Sequence, residues 1–121
     1  VFANEGEARA FTGSCDAQEQ VRHIAHMSDI AVVKLGEQGS IATMEGGRIY
    51  KCDAIHVEHV VDTTAAGDYF AAGFLHALTR GHRLKKCLQV GTMLATEAVQ
   101  VMGSELPPSA WNRIKTSIHC R

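Results

Sequence analysis

The sequence predicts an α/β domain built in three layers, with helices on both faces of a central sheet. The first observation is the order of the patterns: after a short strand end at 1–3 come helical segments, then a cluster of strand segments, and then helical segments again. The second is the run at 30–35, IAVVKL, which is apolar without alternation, as is typical of a strand covered on both faces. With 121 residues, the chain is long enough for one modest domain.

The predicted elements follow one another with short connections. In chain order they are a strand end at 1–3, helices at 4–13 and 16–27, a strand at 30–35, a turn at 36–39, strands at 40–44, 48–52 and 54–61, helices at 69–78 and 83–102, and a last helix after Pro107 and Pro108. The strands at 40–44 and 48–52 flank Glu45-Gly46-Gly47, which is a hairpin signal. No internal repeat, low-complexity segment or linker interrupts this order.

The helices are predicted from their ends and from their apolar faces. The first begins at Asn4, a good N-cap, has Glu7 three residues later in a capping-box pattern, and reaches Gly13, a suitable C-cap. Gly103 is predicted to end the helix at 83–102. The side chains expected to face the core are Val21, Ile24 and Ala25 in the second helix, Phe70, Phe74, Leu75 and Leu78 in the third, and Leu84, Leu88, Ala95, Ala98 and Met102 in the fourth.

Composition and charge argue against several classes of protein. The formal net charge is −1 and there is no run of Lys and Arg, which argues against nucleic-acid binding. No apolar stretch has the length of a membrane span and no secretory signal is visible, so a cytoplasmic protein is expected. The four cysteines form no CxxC pair, which favours reduced thiols. His23 and His26 lie three residues apart on a predicted helix, where solvated histidines are far commoner than a metal site.

The stretch VVDTTAAGDYFAAGF at 60–74 has a composition that suits close approach to the backbone better than a core. Three small residues, Ala65, Ala66 and Gly67, stand where a strand is predicted to end and a helix to begin. The first N–H groups of a helix have no partners within it, and with the helix dipole they bind anions. Asp68 follows in the first turn. A carboxylate there either complements the dipole or, beside a bound phosphate, accepts the proton of an attacking hydroxyl.

This stretch resembles the second signature of the PfkB, or ribokinase-like, family of sugar and nucleoside kinases, which reads Asp-Thr-x-Gly/Ala-Ala-Gly-Asp-x-Phe before a helix. Two further motifs occur in the family's order. Asn4-Glu5-Gly6-Glu7 fits the Asn-x-x-Glu motif that organises magnesium and phosphate. Residues 34–39, KLGEQG, fit the strand-end Thr-x-Gly-x-x-Gly segment that contacts the nucleotide, with Lys34 in place of the usual threonine. The resemblance implies a ribokinase-like, Rossmann-like three-layer sandwich.

The resemblance also implies a role for each residue that matches a motif. Asp68 would be the catalytic base. The anion hole would consist of the backbone N–H groups of Ala65, Ala66 and Gly67. The nucleotide-binding residues would be Lys34, Gly36, Gly39 and Gly67. Asn4 and Glu7 would hold Mg²⁺ through water. The positions that match a monovalent-cation site are Asp62, Thr64, Ala98 and Gly103, and Pro107 departs from the later part of that pattern.

Only a part of a PfkB kinase is covered by this resemblance. It implies that residues 1–121 are the C-terminal, nucleotide-binding part, without the N-terminal half that carries the acceptor contacts and a lid. The implied function is the ATP-dependent phosphorylation of a primary hydroxyl of a sugar or nucleoside, with Mg²⁺ and, at the cation positions, K⁺. The implied partners are ATP and the small acceptor, and the full-length protein would be able to form a homodimer. The 121-residue chain alone is expected to be inactive.

Other interpretations of the same residues stay open. Asn4 and Glu7 fit a plain helix cap, and Gly36 and Gly39 fit a plain turn. A kinase of the hydroxymethylpyrimidine or thiazole branch would share the fold. A non-catalytic fragment that binds nucleotide would share the motifs. The sequence leaves the acceptor undecided, because the family's acceptor contacts lie in the half that this chain lacks.

Overall fold

A computed structural model describes residues 1–55 and 66–100 of the chain. The chain divides into two compact units, Val1–Ala54 and Ile55–Arg121. The first unit contains the strand cluster, and the described residues of the second unit contain a pair of helices. Most of the predicted strand at 54–61 and all of the predicted last helix lie outside the described residues.

The first unit carries a four-stranded sheet in the order β1-β2-β3-β4. Its strands are β1 (Phe2–Asn4), β2 (Ile30–Lys34), β3 (Ser40–Met44) and β4 (Tyr50–Cys52). β1 and β2 are parallel, while β3 is antiparallel to both of its neighbours. The hairpin predicted at Glu45-Gly46-Gly47 is therefore confirmed, although β4 begins at Tyr50 instead of at 48.

Two helices connect β1 to β2, as a parallel pair of strands requires. They are α1 (Glu5–Thr12) and α2 (Ala17–Ser28). The predicted ends of α1 are confirmed, since Asn4 is its N-cap and the N–H of Gly13 donates to the carbonyl of Arg9 at 2.8 Å. α2 begins after Asp16, whose side chain accepts the N–H of Gln18 at 3.1 Å.

The core of the first unit lies where α1 and α2 pack against the sheet. It consists of Ala3, Ala8, Val21, Ile24, Ala25, Ala31, Val33 and Ile41. The apolar face predicted for α2 is thus confirmed. In β2 the consecutive residues Ala31, Val32 and Val33 are all buried, which means that both faces of this strand are covered, as its unbroken apolar run predicts.

The described helices of the second unit are α3 (Ala66–Thr79) and α4 (Leu84–Ala98). α3 ends in a Schellman motif, in which the N–H of His82 donates to the carbonyl of Ala77 at 3.1 Å. α4 ends at Ala98 and does not continue to Gly103 as predicted. There the N–H of Gln100 donates to the carbonyl of Glu97 at 3.2 Å, a three-residue bond that tightens the last turn.

The two helices of the second unit pack through faces that the sequence predicts in part. Phe70, Phe74, Leu84, Leu88 and Ala98 are buried, as expected. Leu75 is 47% exposed, so its predicted place in the core is wrong. The buried positions of α3 are Phe70, Gly73, Phe74 and Ala77, at the spacing of a single helical face, and Leu75 lies beside that face. Leu78 and Ala95 are half-buried, and Met102 lies outside the described residues.

Candidate active site

Two of the three predicted motifs lie side by side at one edge of the sheet. Asn4 is the last residue of β1 and Lys34 is the last residue of β2, and the two are opposite each other in the parallel ladder. In open α/β sheets, ligands bind outside the carboxyl ends of parallel strands. The structure therefore brings the Asn-x-x-Glu motif and the segment 34–39 together at the edge where a ligand is expected.

Asn4 and Glu7 form a complete capping box at the start of α1. The Asn4 Oδ1 atom accepts the N–H of Glu7 at 2.8 Å, and the Glu7 Oε1 atom accepts the N–H of Asn4 at 2.9 Å. The helix-cap interpretation of this pair is therefore correct for the structure. Both side chains are exposed, and Glu7 has a second carboxylate oxygen. Oxygen donors of this kind fit a Mg²⁺ ion that keeps most of its water.

The loop after β2 contains two glycines in left-handed conformations that differ in their surroundings. Residues Gly36–Gln38 form a single 3₁₀ turn, in which the N–H of Gly39 donates to the carbonyl of Gly36 at 3.1 Å, and the N–H of Leu35 donates to the carbonyl of Gly39 at 2.7 Å across the loop. Gly36 has a φ of 62° and open space where a Cβ would be. Gly39 has a φ of 95°, and a Cβ there would collide with the carbonyl of Cys52. The backbone at Gly36 is thus open to a ligand, whereas the backbone at Gly39 lies directly against the segment that begins at Cys52.

Lys34 places a half-buried lysine at the carboxyl edge, where the family pattern has a threonine. Across the next ladder it lies opposite Ser40, the first residue of β3. Ser40 is 2% exposed, and its hydroxyl has no hydrogen-bond partner within the described part of the chain. Ser40 was not among the site residues predicted from the sequence, in which its only signal is a hydroxyl residue directly after Gly39.

The third motif forms the start of α3 in the second unit. Ala66 and Gly67 are the first two residues of this helix, and Asp68 is the third. Gly67 and Asp68 are exposed and Ala66 is half-buried. The first N–H groups of a helix lack acceptors within it, so small residues leave these donors accessible. This start of α3 has the composition of an anion site, with a carboxylate beside it.

Several predicted site residues lie close to or outside the ends of the described ranges, 1–55 and 66–100. Ala98 is the last residue of α4, at the end where the helix dipole is negative. The other predicted cation positions, Asp62, Thr64 and Gly103, lie outside the described residues, as does Ala65 of the predicted anion hole. The cation site stays a prediction.

Histidines and cysteines of the described chain are not gathered into a metal site. Within residues 1–55 and 66–100, no group of three metal-ligating side chains occurs. His26 pairs with Glu45, with 3.3 Å between Nδ1 and Oε1, on an exposed surface. Cys15 is exposed, and Cys52 and Cys87 are buried. Burial raises the pKa of the Cys87 thiol, which keeps it protonated and unreactive.

Among residues 1–55 and 66–100, none of the helices combines the length and the apolar character needed to cross a bilayer.

The mixed sheet with its covering helices in the first unit and the helix pair in the second define an α/β protein. The model of the pfkB family carbohydrate kinases matches residues 1–111. The chain belongs to the PfkB family. It is 35% identical to the cytidine kinase of Thermococcus kodakarensis over 105 residues. This match covers 85% of this chain and 37% of that kinase.

Solved structures agree with this membership. The adenosine kinase from Sinorhizobium meliloti superposes with a TM-score of 0.86 at 33% identity, over 97% of this chain and 36% of that one. The ribokinase of Arabidopsis thaliana, solved with ribose and ATP, superposes with a TM-score of 0.78 at 30% identity, over 94% of this chain and 40% of that one. The ribokinase-like fold is therefore confirmed. The chain spans little more than a third of the length of these relatives.

Proposed function

We propose that the native protein, meaning the natural polypeptide that contains these 121 residues, transfers the γ-phosphoryl group of ATP to a primary hydroxyl of a sugar or nucleoside. The observation that carries this proposal is the start of α3, where the small residues Ala66 and Gly67 stand directly before Asp68 and where Gly67 and Asp68 are exposed. An anion site alone would gain nothing from a carboxylate beside it. A carboxylate next to an anion site does fit a reaction in which a hydroxyl attacks a phosphorus atom.

Asp68 acts as the general base in this mechanism. Its carboxylate accepts the proton of the acceptor hydroxyl as the oxygen of that hydroxyl forms its bond to phosphorus. A positioned base typically contributes ~10²–10⁴ to the rate. The exposed position of Asp68 on the first turn of α3 leaves its oxygens accessible to an acceptor.

The backbone N–H groups of Ala65, Ala66 and Gly67 stabilise the charge on the oxygens of the transferring phosphoryl group. Those of Ala66 and Gly67 belong to the first turn of α3 and need no rearrangement during the reaction. In enzymes with comparable donors, the loss of one donor costs roughly 3 kcal/mol of transition-state stabilisation.

The carboxyl edge of β1 and β2 supplies the remaining contacts. When bound, ATP supplies the phosphoryl group and Mg²⁺ neutralises part of its charge. Asn4 and Glu7 would hold the Mg²⁺ ion through water, and the nucleotide would lie against Lys34, Gly36 and Gly39. Because a Cβ at Gly39 would meet the chain at Cys52, we assign the direct approach to Gly36 and a loop-shaping role to Gly39.

These 121 residues are, in this proposal, the C-terminal nucleotide-binding part of a cytoplasmic PfkB kinase. Acceptor contacts would come from residues that have no counterpart in the chain, since relatives are nearly three times its length. The named relatives include a cytidine kinase, an adenosine kinase and a ribokinase, so both nucleosides and pentoses are candidate acceptors.

The proposal is tested by a coupled assay of ADP release with the native protein. Adenosine, cytidine and ribose are offered in turn with ATP and Mg²⁺, and ATP without acceptor is the control. At least one acceptor should raise ADP release far above the control. In parallel, calorimetry on the 121-residue chain with millimolar ATP and Mg²⁺ should detect weak binding. Binding without any transfer would favour a non-catalytic nucleotide-binding protein, and the absence of both would refute the proposal.

A further inference from the structure

The backbones of helices α3 and α4 are in close contact within the first two to three turns of α3. Gly73 of α3 and Gly91 of α4 are both buried at this crossing. A Cβ built on Gly73 would lie 3.0 Å from the Val90 carbonyl and 3.1 Å from the Gly91 Cα. A Cβ on Gly91 would lie 2.8 Å from the carbonyl oxygen of Phe70. The contact is therefore one of backbone against backbone, in which a methyl group would be tight at Gly73 and would collide at Gly91.

The location of this contact along α3 gives it a consequence for the site. Phe70 lies two residues after Asp68, a rise of about 3 Å along the helix. Its ring is 5% exposed, and two ring carbons would lie 3.3 Å from a Cβ at Gly91. Since the group in contact is a main-chain carbonyl and not the end of a flexible side chain, a Cβ on Gly91 has to displace α4 and the first turns of α3 relative to each other. These turns carry Asp68 and the N–H groups of Ala66 and Gly67.

We infer that Gly91 is a positioning residue for phosphoryl transfer: its missing side chain lets α4 hold the start of α3, with Asp68, in the place that the reaction needs. This inference rests on the function proposed above. Gly91 contacts neither the nucleotide nor the acceptor, and it acts only through the α3 backbone at Phe70. A neighbouring α4 residue, Leu94, is buried at 5% exposure but is one turn further along and supplies a matched control.

The experiment compares Gly91→Ala with Leu94→Ala in the native protein. Both variants should lower the melting temperature, the first by overpacking and the second by leaving a cavity. Because a misplacement of 1 Å can cost ~10²-fold in rate, a shift of a few tenths of an ångström in Gly91→Ala should lower kcat about fivefold to tenfold. KM for ATP should change little. Leu94→Ala should keep kcat near that of the unsubstituted protein at a temperature where both variants are folded.

Gly73→Ala provides a milder test from the other side of the crossing. Its Cβ would meet Val90 and Gly91 at 3.0 to 3.2 Å, so the push on the helix pair is smaller. It should lower kcat less than Gly91→Ala does. Equal kcat values for Gly91→Ala and Leu94→Ala at matched stability would overturn the inference. So would failure of both glycine variants to fold, because the glycines would then be needed for the fold itself.

Failure of this inference can be told apart from failure of the proposed function. If the unsubstituted protein transfers no phosphoryl group to any acceptor, the proposed function is wrong. If it does transfer the group and kcat is insensitive to Gly91→Ala, only the positioning role is wrong.

Discussion

The starts of α1 and α3 place an acidic residue at the same helical position in two different settings. Glu7 is the third residue of α1, and Asp68 is the third residue of α3. In α1 the preceding Asn4 accepts the N–H of Glu7, and Glu7 in turn accepts the N–H of Asn4. Before α3 the sequence has Ala65, whose side chain has no acceptor to offer.

The difference shows how a cap residue decides what an acid in the first turn can do. With an asparagine cap, one oxygen of the acid and one backbone N–H of the helix are engaged within the chain itself. An alanine there offers no side-chain acceptor of its own to the N–H groups of the first turn, and in our proposal these groups bind an anion. The same carboxylate position therefore serves stability in α1 and, in our proposal, chemistry in α3.

The same isosteric change at both acids gives the strongest test of this difference between the two helix starts. In the native protein, Asp68→Asn should lower kcat by roughly 10²–10⁴, because it removes the proton acceptor while keeping the shape. Nucleotide binding should be unchanged or slightly tighter, since a negative charge beside the phosphates is lost. The coupled ADP assay and a nucleotide titration measure the two effects.

Glu7→Gln is the matched control for Asp68→Asn. A glutamine still accepts the Asn4 N–H, so the capping box and the melting temperature should be nearly retained. The Mg²⁺ concentration needed for half-maximal activity should rise, and saturating Mg²⁺ should restore kcat. If Asp68→Asn keeps turnover within a few-fold of the unsubstituted protein, Asp68 is not the base.

A second pair of variants tests the N–H groups. Ala66→Pro removes one donor at the first position of α3, where proline suits a helix. Loss of a donor to the phosphoryl group should lower kcat about 10²–10³-fold, with little loss of stability. Steady-state kinetics and a thermal melt on the same preparation measure both quantities.

Glu5→Pro makes the equivalent change at the first position of α1. Asn4 already has an extended conformation, with φ −84° and ψ 174°, which is compatible with a following proline. This variant should leave kcat almost unchanged, since the capping box does not use the N–H of Glu5. Similar kcat losses in both proline variants would mean that the two helix starts do not differ in the way proposed.

The smallest expected effect concerns the cap of α1 itself. Asn4→Ala should lower the free energy of unfolding by about 1 kcal/mol, because it removes the acceptor for the Glu7 N–H. Asn4→Asp keeps an acceptor and should be close to the unsubstituted protein in stability. Urea unfolding of the 121-residue chain measures both. An Asn4→Ala variant as stable as the parent would show that the box observed at α1 contributes nothing to its start.

The local features of the fold were determined by the sequence itself. The capping box at Asn4 and Glu7, the end of α1 at Gly13 and the hairpin at 45–47 were all predicted, and the structure has each of them. Each depends on residues only a few positions apart, so local rules are enough. The buried strand at 30–35 was predictable for a related reason, because an unbroken apolar run has no polar face to leave exposed.

Only the tertiary structure decided which residues meet across longer separations. It places Asn4 opposite Lys34, distinguishes the open Gly36 from the closely packed Gly39, and leaves Leu75 beside the buried face of α3. It also brings Gly91 against the Phe70 carbonyl. These outcomes depend on where two distant backbone segments pack. The sequence identifies each glycine, but it does not show whether the missing side chain is needed for a turn, for contact with a neighbouring helix or for the approach of a ligand.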